Sequence, residues 1–158
     1  MRDNPFTIIV MSPENLYTIG YQGRTVAQLI QTLQKNAIMT LCDVRKNAVS
    51  RKPGFSKTVL QSALEAAGIK YVHLPELGTE PKDRPPPGDT SFLTTAFFLA
   101  YNVQIRKDKK KQEALEHIKC LMYRNTVALM CYERNVEECH RKIIYREIIG
   151  ANKEEKHL

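Results

Sequence analysis

Between residues 126 and 149 the chain reads TVALMCYERNVEECHRKIIYREII: an apolar start, a polar knot, then Cys139, Ile143, Ile144, Glu147 and Ile148 at helical spacing. The knot holds Cys131, Glu133, Cys139, His140 and Arg141. These types supply a thiol for attack, a carboxylate and an imidazole for proton transfer, and a guanidinium for an anion. A second polar group, Asp43, Arg45, Ser50 and Arg51, follows another apolar run. Asp43 and Glu133 would work as acid and base if their strands are neighbours, assisted by His140 or Cys139. Arg45, Arg51 and Arg141, with Ser50, would grip a phosphate or carboxylate around one cleft. Tyr21 and Cys131 stand at the ends of their own apolar runs and join the candidates.

Two of these residues carry two readings each. Asp43 sits on an apolar run, where a buried ion pair with Arg45 competes with a catalytic role. Asn135 and Glu138 have capping-box-like spacing, which places Cys139 and His140 in the first two turns of a helix, where amides and dipole acidify a thiol. Ile143, four residues on, instead turns Cys139 to the core as a small hydrophobe. That second reading predicts a buried Cys139, with His140 or Arg141 the more accessible. A zinc set of Cys131, Cys139 and His140, with or without Cys42, lacks standard spacing and any C-x2-C, so no metal or other cofactor is expected. Neither a G-x-G-x-x-G nor a P-loop pattern is present.

The elements that must position these groups follow from periodicity. Residues 16–21, 38–44, 69–74 and 126–132 are short apolar runs that read as strands. Between them, helices are expected from Thr25 with Val26, Leu29, Ile30 and Leu33 inward, and from Ser56 with Val59, Leu60, Ala63 and Leu64 inward. Two more are expected from residue 90 or 91 to Ala100, rich in Phe92, Phe97, Phe98 and Leu99, and from about Asp108 to Tyr123. Residues 79–90, with four prolines, read as a lid or binding loop. Strands alternating with helices predict an α/β fold: a single-domain three-layer sandwich with a mostly parallel sheet flanked by helices. Residues 1–15 are an extension, 16–151 the domain and 152–158 a polar, frayed tail. In such sheets ligands sit beyond the carboxyl ends of the strands, where Gly20, Tyr21, Asp43, Arg45, His73, Glu76 and the knot all fall.

Composition narrows the class. At 158 residues the chain is long enough for one proper core. Apolar runs of about six or seven residues fall short of the roughly 20 that span a membrane. The start has no signal-peptide layout, and four irregularly spaced cysteines suggest no disulfide framework, so a cytoplasmic protein with free thiols is expected. The net charge of +7 favours an anionic partner, and the run Arg106–Lys111 supplies part of it.

The chain resembles the domain-of-unknown-function family numbered 488. The matching pieces are Tyr17-Thr18-Ile19-Gly20-Tyr21; Asp43-Val44-Arg45 with Ser50-Arg51 and Gly54-Phe55-Ser56; Tyr71-Val72-His73-Leu74-Pro75 with Leu77-Gly78; and Cys131-Tyr132-Glu133 with Cys139-His140-Arg141. They run from Tyr17 to about Ile149, and C-x-E…C-H-R is the most specific. The chain departs at Thr79, where the family often has a second glycine. The resemblance implies a small α/β protein whose activity is undetermined.

Two functions remain from the residues. One is a small enzyme, a hydrolase or transferase, acting on a phosphate-bearing substrate such as a nucleotide or nucleic acid. The other is a non-catalytic nucleic-acid-binding module, favoured by charge and weakened by the missing Trp and the lack of an aromatic-basic strand motif. Oligomeric state is not readable.

Overall fold

The structure, a computed structural model, describes residues 15–86, 89 and 92–158. The expected strand at 6–11, and nearly all of the expected extension, lie outside the described residues. Among the described residues the fold is a four-stranded parallel sheet covered by helices on both faces. The strands are β1 (Leu16–Gly20), β2 (Thr40–Asp43), β3 (Lys70–His73) and β4 (Val127–Cys131), in the order β1-β4-β2-β3. Helices α1 (Val26–Lys35) and α2 (Lys57–Ala66) carry the chain one way across the sheet. Helices α3 (Phe92–Lys107) and α4 (Lys109–Met122) carry it back to β4, and α5 (Arg141–Ile149) follows. Reversing direction with right-handed crossovers puts the two sets on opposite faces.

The cores show this division. One face packs Leu29, Leu33, Leu60 and Leu64 of α1 and α2 against Ile19, Leu41, Tyr71, Ala128 and Met130. The other packs Tyr101, Ile105, Leu115, Ile118 and Ile144 against Leu16, Cys42, Val127, Leu129 and Cys131. Alternate residues of β4 enter opposite cores, and all five are buried, as expected of a central strand covered on both sides.

Local chemistry explains the element ends. Thr25 and Gln28 exchange bonds in a capping box that starts α1. Ser56 is the N-cap of α2, yet its hydroxyl turns away and donates to the Ser50 carbonyl at 3.2 Å. Asp108 ends the run of α3 and caps α4, accepting from the Lys110 and Lys111 amides. The helix expected to stop at Ala100 thus runs on to Lys107, and Tyr101 and Ile105 are its buried contacts while Leu99 is exposed. No helix among the described residues is long and apolar enough to cross a membrane.

The tail is not frayed. Thr18 N–H donates to Lys156 O and Leu158 N–H to Thr18 O, both at 2.9 Å. Thr18 and His157 form a parallel bridge, with their side chains 2.7 Å apart. Arg24 holds the Leu158 carbonyl at 3.1 Å. A polar composition does not prevent a segment from pairing its backbone with an open strand.

Candidate functional site

Beyond the carboxyl ends of the strands the polar residues form two groups, and the sheet stands between them. The first centres on Asp43. Its Oδ1 accepts from the Arg45 amide at 3.1 Å and from Arg45 Nε at 2.8 Å, and its Oδ2 accepts from Arg45 Nη2 and the Tyr71 hydroxyl, each at 2.6 Å. Arg45 Nη1 donates onward to the Tyr21 hydroxyl at 3.0 Å and the Phe55 carbonyl at 2.9 Å. Tyr21 stacks on Phe55 with centroids 4.3 Å apart, and His73 donates to the Arg45 carbonyl at 2.9 Å. Burial pulls the Arg45 guanidinium down, but Asp43 outweighs it and holds it above its ordinary value. Burial, then the Asp43 charge, pushes the Tyr71 phenol up. This is a buried ion pair with its bonds satisfied, and it ties β2, β3, the end of β1 and the start of α2 together.

Arg45 is therefore spent inside the fold and offers no fork to an anion. Ser50 is also structural: its amide donates to Ser56 Oγ and its hydroxyl accepts from the Lys52 amide. Arg51 is exposed on the same loop.

The second group gathers at the end of β4, on the core face of α3, α4 and α5. The Sγ atoms of Cys131 and Cys139 and a ring nitrogen of His140 all lie within 4.8 Å of one another. His140 Nδ1 is 3.9 Å from Cys139 Sγ, and Nε2 is 3.2 Å from the Val44 carbonyl. A carbonyl only accepts, so Nε2 carries the hydrogen and Nδ1 keeps its lone pair toward the sulfurs. Tyr101 meets the His140 ring edge to face at 5.4 Å, and its hydroxyl donates to the Leu77 carbonyl at 2.7 Å.

Electrostatics differ sharply among these groups. Burial pushes the Cys139 thiol up, but the bond from Cys131 and the neighbouring His140 and Arg141 side chains overcome it and hold Cys139 well below an ordinary thiol. Cys131, which donates to Cys139 and is buried, is pushed well up. Burial and then the Cys139 charge raise the Glu133 carboxyl, and its Oε2 is buried with no hydrogen-bond partner. Cys42, on the same core face, is pushed by burial up to about 12.

The local chain path departs from expectation. Asn135 caps a single 3-10 turn, Val136–Glu138, by accepting from the Glu137 amide at 3.1 Å. Cys139 follows in extended backbone, and His140 is the N-cap of α5. Neither Cys139 nor His140 lies in the first two turns of the helix. Cys139 is buried as its spacing with Ile143 suggests, but His140 and Arg141, expected to be accessible, are 4% and 1% exposed. Arg141 donates from Nη1 to the Glu133 carbonyl at 2.6 Å and from Nη2 to the Arg134 carbonyl at 3.2 Å. It clamps the loop after β4 through both terminal nitrogens, while its Nε is buried with no hydrogen-bond partner among the described residues.

The expected single cleft resolves into these two groups. Asp43 lies among the residues that pack α1 and α2, and Glu133 interacts with the two thiols on the other side. Register fixes this: Asp43 pairs with Met130, so Cys131, one residue on, points through the opposite face. Acid–base work shared by Asp43 and Glu133 does not fit this geometry.

Two glycines allow the close approaches. A Cβ on Gly20 would fall 1.9 Å from the Glu133 carbonyl oxygen, and one on Gly78 would fall 2.1 Å from the Lys46 amide. Beside the second group, a cavity of about 650 Å³ opens between the segment 75–83 and helices α3 and α4. Lys46, Glu80, Lys82, Lys110 and Lys111 line it, and Tyr101 lines it while also touching His140. Lys46 pairs with Glu80 at 3.0 Å, and Lys111 Nζ donates to the Glu76 carbonyl at 2.5 Å; burial pulls Lys111 down. Thr79 is buried and accepts from Arg84 Nε at 2.7 Å. Sequence reasoning missed Tyr71 and Tyr101. Tyr71 stands in the matching piece Tyr71-Val72-His73-Leu74-Pro75 with no role assigned to it, and Tyr101 falls just past the expected helix end at Ala100.

A family model described as "Domain of unknown function DUF488" matches residues 25–148. No curated protein and no solved structure matches the chain.

Proposed function

The chain belongs to the DUF488 family of domains of unknown function, and from its geometry we propose that it is a small enzyme, a hydrolase or transferase, with its chemistry at the end of β4. One observation carries this reading: Cys131, Glu133, Cys139 and His140 converge at the carboxyl edge of the sheet, beside a cavity that shares Tyr101 with them. Glu133, the partly exposed member, exchanges protons with the reacting group, and the buried Cys139 and His140 stand behind it. The net charge of +7 supports a phosphate-bearing substrate such as a nucleotide; at the cavity itself Lys46, Lys82, Lys110 and Lys111 face Glu76, Glu80, Asp83 and Asp108, so that support comes from the chain as a whole. Asp43, Arg45 and Ser50 act as scaffold in this reading, and Arg51 remains at the surface as a contact for a longer anion. The alternative, a non-catalytic nucleic-acid-binding module, draws on the same charge but loses Arg45 and Arg141 to internal bonds.

The test is turnover of p-nitrophenyl phosphate, bis(p-nitrophenyl) phosphate and nucleoside phosphates by the purified chain. We expect hydrolysis of at least one, reduced about 100-fold or more by Glu133→Gln. No turnover, together with salt-dependent binding of a short oligonucleotide, would replace the enzyme with the binding module.

A further inference from the structure

Cys131, Cys139 and His140 do more than crowd one another. Two sulfurs and an imidazole nitrogen within 4.8 Å are the donor set that zinc and similar divalent ions select. A tetrahedral ion with bonds of about 2.0–2.3 Å needs its ligand atoms roughly 3.3–3.8 Å apart, and Cys139 Sγ and His140 Nδ1 stand close to that range at 3.9 Å. The imidazole is oriented as a ligand would be. Its Nε2–H is anchored on the Val44 carbonyl, which leaves Nδ1 free toward the sulfurs.

Glu133 adds an independent observation. Its Oε2 is buried without a partner, and its carboxyl interacts with both thiols. A buried carboxylate oxygen with no hydrogen-bond partner among the described residues is a costly arrangement in protein alone. A divalent cation would satisfy it. Charge closes as well: two thiolates and a carboxylate against a divalent ion leave one negative charge, which the buried Arg141 at the neighbouring carbonyls balances.

We propose that Cys131 Sγ, Cys139 Sγ and His140 Nδ1 bind a zinc-type divalent cation, whose fourth position the neighbouring Glu133 carboxylate takes by moving its side chain toward the three. This deepens the proposed function by assigning Cys139 to the metal rather than to attack, and it rests on that reading for its location alone. Cys42 stays outside the set as a neutral, buried thiol. The C-x-E-x5-C-H spacing explains why the sequence hides the site: the ligands come from a strand end, a 3-10 exit and a helix cap rather than one knuckle.

The experiment is metal uptake by the full chain, stripped by chelator under reductant and titrated with Co2+ or Zn2+ in the absence of substrate. We expect one equivalent per chain, with a near-ultraviolet sulfur-to-cobalt band and strong tetrahedral visible bands. Cys120→Ser, at an exposed cysteine, keeps both, and Cys131→Ser or Cys139→Ser loses them. X-ray absorption of the zinc-loaded wild type needs no variant and should show two sulfur and two nitrogen or oxygen neighbours. Absence of stoichiometric uptake by folded wild type, or a shell without sulfur, overturns the site. Failure of uptake with phosphoester turnover intact sinks the metal alone. Uptake without any turnover keeps the metal and sinks the proposed reaction.

Discussion

Tyr101 touches His140 edge to face at 5.4 Å and also forms part of the wall of the neighbouring cavity. Its hydroxyl is fixed on the Leu77 carbonyl. One aromatic ring thus belongs both to the cavity wall and to the packing around His140, and the neighbouring Cys139 is 2% exposed. Acidity and access oppose each other here, since a thiolate reacts only where a reagent reaches it. Alkylation of the native protein at neutral pH, read residue by residue by mass spectrometry, should label exposed Cys120 first and Cys139 slowly. Tyr101→Ala should speed Cys139 at least tenfold, and Tyr101→Phe should leave it slow. Fast labelling of Cys139 in the wild type would show that burial does not control it.

Replacing Asp43 tests the scaffold assignment. Asp43→Asn leaves the buried Arg45 guanidinium without its counter-charge, and breaking a buried pair from one side costs about 3–5 kcal/mol. Urea unfolding should show a loss of that size. Tyr71→Phe removes one bond to the same carboxylate and should cost about 1.5–3 kcal/mol. An Asp43→Asn protein of wild-type stability would return Asp43 to the list of reacting groups.

Gly20→Ala places a methyl where the Glu133 carbonyl lies, against backbone rather than a flexible side chain. The loop after β4 must move, and Arg141 grips that same carbonyl. Overpacking of this kind costs about 1–3 kcal/mol, and the midpoint of denaturant unfolding should fall accordingly. Co2+ spectra of the variant should also change, because Glu133 moves with the loop.

Acid should release the tail. Burial pushes Glu155 up, but the bond from Arg146, the charges of Lys142 and Arg146 and the bond from His157 hold it below its ordinary 4.5. A depressed carboxyl stabilises the docked tail fully above that ordinary value, and the contribution is lost as pH falls through the lowered one. The Leu158 amide resonance, bonded to Thr18, should hold its docked position from neutral pH to about 5 and move toward that of a free chain under stronger acid. Glu155→Gln should abolish that transition. A resonance that moves between neutral pH and 5 would contradict it.

The fold was legible because each strand is a short apolar run and each helix shows one apolar face, so alternation alone implied a parallel sheet. The group at residues 131–141 was legible as a cluster for the same reason: it follows the most apolar strand. Its two sides were not. Separating Asp43 from Glu133 needs the register that pairs Asp43 with Met130, which no single segment carries. Nor does an arginine in sequence reveal whether it will hold an anion or, like Arg141, two carbonyls. Asn135 to Glu138 has the composition of a helix start, and a single 3-10 turn satisfies the same cap.

The pairing of Lys156 and Leu158 with Thr18 bears on how copies of this chain meet. β1 is the outer strand next to β4, and its far side would otherwise present bare amides and carbonyls to any other extended segment. The tail fills those positions from within the same molecule. A chain shortened after residue 151 would bring that row into contact with solvent and with its neighbours, and strand-to-strand aggregation would then grow with concentration while the fold of each copy stayed the same.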